Sequence, residues 1–228
     1  MGLFQSNLEA FQNQYTSFRV RTWVIENDLE RIKYSGFIQL PYKLGAKNTP
    51  NMINSYLMPL CTDSNGYFNK TTAEIQQLAT NNPSSAGVDC SGLVYYVLNE
   101  ASYGAVNSFF NVSYAYGVSA NNLATTVNGV QKTSAKQIVP GCTFRMDNGN
   151  HVAVVYKVET NSSNVVTRIW YAHSNGSKGP HTAYIDIGNE NYDLKSSYQT
   201  WHDIAYTDST AKSLYNYTVL LNCVANQS

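Results

Sequence analysis

The chain has 228 residues, 15 of them basic and 15 acidic, for a formal net charge of zero. That balance excludes nucleic-acid binding by bulk charge, and 43% hydrophobic with 13% aromatic residues is too apolar a composition for a disordered chain. Charged residues make up 13%, with 26 Asn, 22 Ser, 18 Thr and 18 Tyr in their place, so the surface is polar but weakly charged.

The length fits one compact unit with extensions. The longest apolar run, Leu93 to Leu98, is far shorter than the roughly 20 residues that cross a bilayer. No transmembrane segment is expected. Residues 1–20 also lack the basic-then-apolar order of a secretory signal. Cys61, Cys90, Cys142 and Cys223 are far apart, with no Cys-x-x-Cys pair, which argues against a zinc knuckle. A core of this size forms without disulfides, so the four are read as unpaired.

At the N-terminus, Leu8, Phe11, Tyr15 and Phe18 recur at intervals of three and four, the stripe of an amphipathic helix. Ile25, Leu29 and Ile32 continue the spacing as far as Gly36, a helix stop. Residues 1–35 are therefore predicted to form a helical layer packed on the remainder. From Pro41 to Asp89, Gly45, Pro50, Pro59, Asn65-Gly66, Asn81-Asn82-Pro83 and Gly87 punctuate the sequence. Loops are expected there, with one helix near Thr71–Ala79, and so long a loop region commonly frames a cleft.

Cys90 to Ala101 reads as a buried helix, with Leu93, Val94, Val97 and Leu98 at helical spacing and Asp89 or Ser91 as its cap. After Pro140-Gly141 the period becomes that of strands: Cys142–Met146, His151–Glu159, Val165–Ala172, Thr182–Ile187 and Tyr215–Cys223. Short turns at Gly149-Asn150 and 161–164 make the first three antiparallel neighbours. Helices followed by strands indicate an α+β fold.

The chemistry concentrates at Cys90. A thiol at a helix N-terminus meets the positive end of the dipole, which together with a nearby imidazolium lowers its pKa from about 8.5 to roughly 3.5–7.5. The unpaired N–H groups of the same first turn offer donors for an oxyanion. Its base would be His151, which opens a strand and so stands at the sheet rim. His173 ends the next strand, one hairpin later, where it could orient His151 by a hydrogen bond. His181 competes for that orienting role, and His202 is read as a packed or surface residue. Zinc held by Cys90, His151 and His173 is chemically possible, but the spacing gives no sign of an open fourth position.

The ordered set Pro41-Tyr42-x-x-Gly45, Asp89-Cys90-Ser91-Gly92-Leu93, Pro140-Gly141, His151-Val152-Ala153 and Ala172-His173-Ser174 resembles the NlpC-type, papain-like cysteine peptidases over about residues 36–190. The resemblance implies a papain-like catalytic domain over 36–228, with the nucleophile at the start of a helix packed on an antiparallel sheet. It implies an insertion at about 48–87, because the interval from Tyr42 to Cys90 is longer than is usual in the family. Cys90, His151 and His173 become the catalytic triad, and Tyr42, Asp89 and Ser91 line the substrate cleft. No metal or cofactor is called for. The implied substrate is a peptidoglycan stem peptide, cut by an endopeptidase or an amidase at the bacterial cell wall, whether the protein is secreted, periplasmic or delivered. A protein inhibitor is an open possibility. Two alternatives remain: an acyltransferase or small-amide hydrolase with the same site, and a catalytically silent cell-wall-binding module. The family's Gly-Asp before the strand is Gly141-Cys142 here, and its Gly-Gly after the tyrosine is Gly45-Ala46.

Overall fold

The computed structural model describes residues 2–227. Helix α1 (Leu3–Thr16) turns Phe4, Leu8 and Tyr15 to the interior, and Tyr15 donates its hydroxyl hydrogen to Asn48 O at 2.9 Å.

The second apolar stripe is not helical. Residues Arg21–Glu26 (β1) and Leu29–Tyr34 (β2) form an antiparallel hairpin closed by Asn27-Asp28, both at positive φ (52° and 61°). A two-residue loop with both positions left-handed has the twist a hairpin needs, and the β-branched and aromatic run Trp23-Val24-Ile25 favours extended backbone. The predicted N-terminal helical layer is thereby corrected to one helix and a hairpin. Val24 is buried beneath it, while Trp23, Ile25, Ile32 and Tyr34 face outward.

Residues 41–89 also depart from expectation, since three helices replace most of the loops: α2 (Pro50–Cys61), α3 (Thr72–Asn81) and α4 (Pro83–Ala86). Proline was misleading punctuation. Pro50 opens α2 at the one turn where its missing N–H costs nothing, behind the cap Thr49, whose hydroxyl accepts from Met52 N–H. The Thr71/Glu74 capping box begins α3, close to the helix expected there. Both ends of the segment are fixed to one place. Lys47 bridges Val88, and Asn48 Nδ2 donates to both Ser84 O and Gly87 O at 2.8 Å. Leu40 and Pro41 run close against glycine on either side: a Cβ on Gly87 would lie 2.8 Å from Pro41 O, and one on Gly179, which has φ +65°, would lie 2.0 Å from Leu40 O.

Helix α5 (Cys90–Ala101) is buried at ten of its twelve positions, as the apolar run from Leu93 to Leu98 requires. It packs on the strands that carry the histidines. Short helices α6 (Ala105–Phe110) and α7 (Ala120–Leu123) lead from it into a seven-stranded, wholly antiparallel sheet. The strands are β3 (Gly129–Lys132), β4 (Thr143–Met146), β5 (His151–Thr160), β6 (Val166–Asn175), β7 (Gly179–Ile187), β8 (Gln199–His202) and β9 (Tyr215–Leu221), in spatial order β3-β9-β4-β5-β6-β7-β8. Helix α8 (Asp208–Leu214) links β8 to β9. The fold is α+β. Five of the strands fall within a few residues of their expected positions; β3 and β8 are additions. Cys61, Cys90, Cys142 and Cys223 are free thiols, and no helix among the described residues is long and apolar enough to cross a membrane.

Candidate active site

Cys90 is the first residue of α5, capped by Asp89, whose carboxylate accepts from Gly92 N–H at 2.7 Å. Leu93 N–H is bonded to Asp89 O. This capping leaves the N–H groups of Cys90 and Ser91 at the thiol itself. Asp89 and Ser91, expected at the cleft, are buried instead. Lys47 Nζ lies 2.9 Å from both oxygens of Asp89 and also bonds Ser91 Oγ, and Gly45 N–H donates to Asp89 Oδ2 at 3.0 Å. Their polar atoms therefore fix the start of α5 and the Gly45–Lys47 backbone beside it.

The Cys90 sulfur rests 3.9 Å from Asn150 O and also meets the N–H of Val152, so it brackets His151 along the strand. His151 leaves a tight turn in which Asp147, Asn148 and Gly149 are all left-handed (φ 47°, 54° and 93°). Arg145 holds that turn by donating to Asn148 O, and Asn148 N–H donates to Asn216 Oδ1.

Sheet register brings the remaining groups together. Val154 pairs with Ala172 across β5 and β6, which sets His151 diagonal to His173 on one face, within reach of long side chains. His173 lies directly opposite His181 on β7. Tyr184 pairs with His202 on β8, so Asp203, one residue on, is diagonal to His181. His151 Nε2 is 2.8 Å from His173 Nδ1, His173 Nε2 is 2.9 Å from Asp203 Oδ2, and His181 Nε2 is 3.0 Å from Asp203 Oδ1. The side chains of His173 and Asp203 are wholly covered and that of His181 nearly so. His202, by contrast, is exposed and pairs with Asp186.

Two groups here were missed by sequence reasoning. Asp203 was passed over because β8 went unrecognised, although its alternating Gln199-Thr200-Trp201-His202 was a strand signal. Tyr206 stacks on His173 with ring centroids 5.9 Å apart and stands edge-on to His151 at 6.5 Å. No spacing marked it, since it lies in the irregular stretch after β8. Tyr42 is half-buried, its hydroxyl pushed up to about 12 by burial and then by the neighbouring Cys90, Asp89 and Tyr206, which places it beside the thiol.

The electrostatics correct one expectation. Burial, followed by the adjacent Asp89 carboxylate, pushes the Cys90 thiol up to about 11, against the weaker pull of Lys47 and of the Val152 and Ser91 N–H groups. The lowering expected from the helix end does not prevail, because the same burial that secures α5 strips the sulfur of solvent. Burial and then His173 push His151 down to about 3. At neutral pH Cys90 is a thiol and His151 a neutral imidazole. Asp203 behaves oppositely: burial alone would raise it, but the hydrogen bonds from His173, His181 and the Ala205 N–H hold it well below the usual carboxylate range.

His173, His181 and Asp203 each offer a ligand atom within 4.8 Å of the others, a donor set suited to zinc. Each atom already has a hydrogen-bond partner within the cluster, so this network accounts for the grouping without an ion. Comparisons with known protein families, with curated proteins and with solved structures returned no match for this chain.

Proposed function

We propose that this protein is a papain-like, NlpC-type cysteine hydrolase that cleaves an amide bond of peptidoglycan stem peptides, acting at the bacterial cell wall. The observation that carries the reading is the thiol at the start of a buried helix, set against the strand whose first residue, His151, is hydrogen-bonded to His173. The substrate class comes from the resemblance of the Pro41-Tyr42, Asp89-Cys90-Ser91-Gly92 and His151-Val152-Ala153 segments to that family.

The electrostatics shape the mechanism. With a neutral thiol and a neutral imidazole at rest, His151 acts as a general base during attack: it takes the Cys90 proton as sulfur bonds to the scissile carbonyl carbon. The Cys90 N–H is placed to donate to the developing oxyanion. The intermediate collapses when protonated His151 returns the proton to the departing amine nitrogen, leaving a thioester. A water, deprotonated by His151, then attacks the thioester, and the acid leaves as the proton returns to sulfur. Tyr42 and Tyr206 flank this centre.

Incubation of purified sacculi with the protein, followed by mass spectrometry of the soluble fraction, tests the proposal. Stem-peptide fragments are expected from the wild type and none from Cys90→Ala; absence of release from every sacculus type would overturn it.

A further inference from the structure

A neutral imidazole carries one proton on two nitrogens, so hydrogen-bonded imidazoles in series have a direction. Here the direction is set from the far end. Asp203 Oδ2 accepts from Tyr171 OH at 2.8 Å and faces His173 Nε2 at 2.9 Å; Asp203 Oδ1 accepts from Ala205 N–H at 2.7 Å and faces His181 Nε2 at 3.0 Å. A carboxylate with four donors around two oxygens is an acceptor only. His173 Nε2 therefore bears hydrogen, and its Nδ1 presents a lone pair. His151 Nε2, 2.8 Å from that lone pair, bears hydrogen in turn.

His181 has a different part. Its Nδ1 faces Gly179 O at 2.9 Å and its Nε2 faces Asp203 Oδ1 at 3.0 Å, so the ring ties the carboxylate to the β7 backbone and holds it in place.

Resting on the function proposed above, we infer that Asp203, held by His181, is the positioning residue that fixes the protons of both relay imidazoles and so makes His151 Nδ1 the atom that accepts the Cys90 proton. It touches neither substrate nor thiol and acts through His173.

Asp203→Asn tests this, because the amide keeps the shape but turns an NH₂ donor toward His173 Nε2. The relay then reverses: His173 donates from Nδ1 to His151 Nε2, and the His151 proton moves to Nδ1, which no longer offers the lone pair inferred to accept the Cys90 proton. On sacculi, kcat is expected to fall about 10²- to 10⁴-fold, as when an amide replaces the carboxylate of a serine-protease triad, with KM changed less than about threefold. Asp203→Ala, which offers no donor, should be less damaging than Asn, although it removes more contacts; a merely structural role predicts the reverse order.

The direct measurement is ¹⁵N NMR of histidine-labelled protein, which requires no substrate. In the wild type the His151 proton is expected on Nε2. A wild-type proton on Nδ1, or full activity in Asp203→Asn, overturns the inference. Failure to cleave sacculi with the expected tautomer present would overturn the proposed function alone.

Discussion

At the sheet rim, His151, His173, His181 and Asp203 are joined by contacts of 2.8 to 3.0 Å. On α5 the Cys90 sulfur lies 3.9 Å from Asn150 O, and burial pushes it away from ionisation. The imidazole–carboxylate half is thus tightly hydrogen-bonded, while the thiol is positioned but kept protonated by burial. On the proposed mechanism, a bound carbonyl would supply the drive for proton transfer.

The largest expected effect separates the two halves. Cys90→Ala should abolish hydrolysis, by more than about 10⁴-fold, while Tm stays within about 4 °C, because none of the imidazole contacts involves sulfur. A loss of folding in that variant would show that the halves are not independent. Lys47→Met tests what supports the thiol side: it leaves the buried Asp89 carboxylate without its cation, held only by the Gly45 and Gly92 N–H groups and Ser91, and should cost about 3–5 kcal/mol in denaturant unfolding. Lys47→Met combined with Asp89→Asn should recover part of that loss; no recovery would place the damage elsewhere.

The dormancy of the thiol has its own measurement. Iodoacetamide should modify Cys90 at pH 7 roughly 100-fold more slowly than free cysteine, as read by mass spectrometry of the Cys90 peptide. A rate equal to that of free cysteine would mean that burial does not suppress the thiol, and a faster rate that an activated thiolate already exists.

Acid addresses the imidazole side. His151 is held at about 3, whereas an imidazole in the unfolded chain titrates near ~6.5. Between these values the unfolded chain binds more protons, so stability falls as pH falls through that window. Burial pushes His173 the same way. Asp203 acts later, because a depressed carboxyl contributes stability that is fully present above about 3.9 and lost only under stronger acid. Tm should therefore decline from pH 7 to pH 4, and less steeply in His151→Gln. The smallest effect is expected at His202, outside the network and exposed beside Asp186: His202→Ala should move Tm by less than about 2 °C.

What could be read from the sequence follows the range of the forces involved. The α5 helix and the strands from Thr143 to Ile187 were legible because burial on one side imposes a period, and His151 and His173 stood at predicted strand ends. The β1–β2 hairpin was misread because Ile25, Leu29 and Ile32 satisfy helical spacing, while the deciding signal, Asn27-Asp28, is local turn chemistry. Helix α2 was hidden by counting Pro50 as a break. Asp203 needed long-range register: only once β8 is paired with β7 does a carboxylate thirty residues beyond His173 come within 2.9 Å of it. The elevated thiol was not legible, since its largest cause is the burial of the start of α5 in the fold, to which the neighbouring Asp89 carboxylate only adds.

The antiparallel bridge between Lys47 and Val88 gives the region between them a particular status. The excursion through α2, α3 and α4 departs from and returns to a single point, immediately between Tyr42 and Cys90 in the chain. Its closure keeps the two ends of the excursion together, so the three helices separate Tyr42 from Cys90 in the chain without separating them in space.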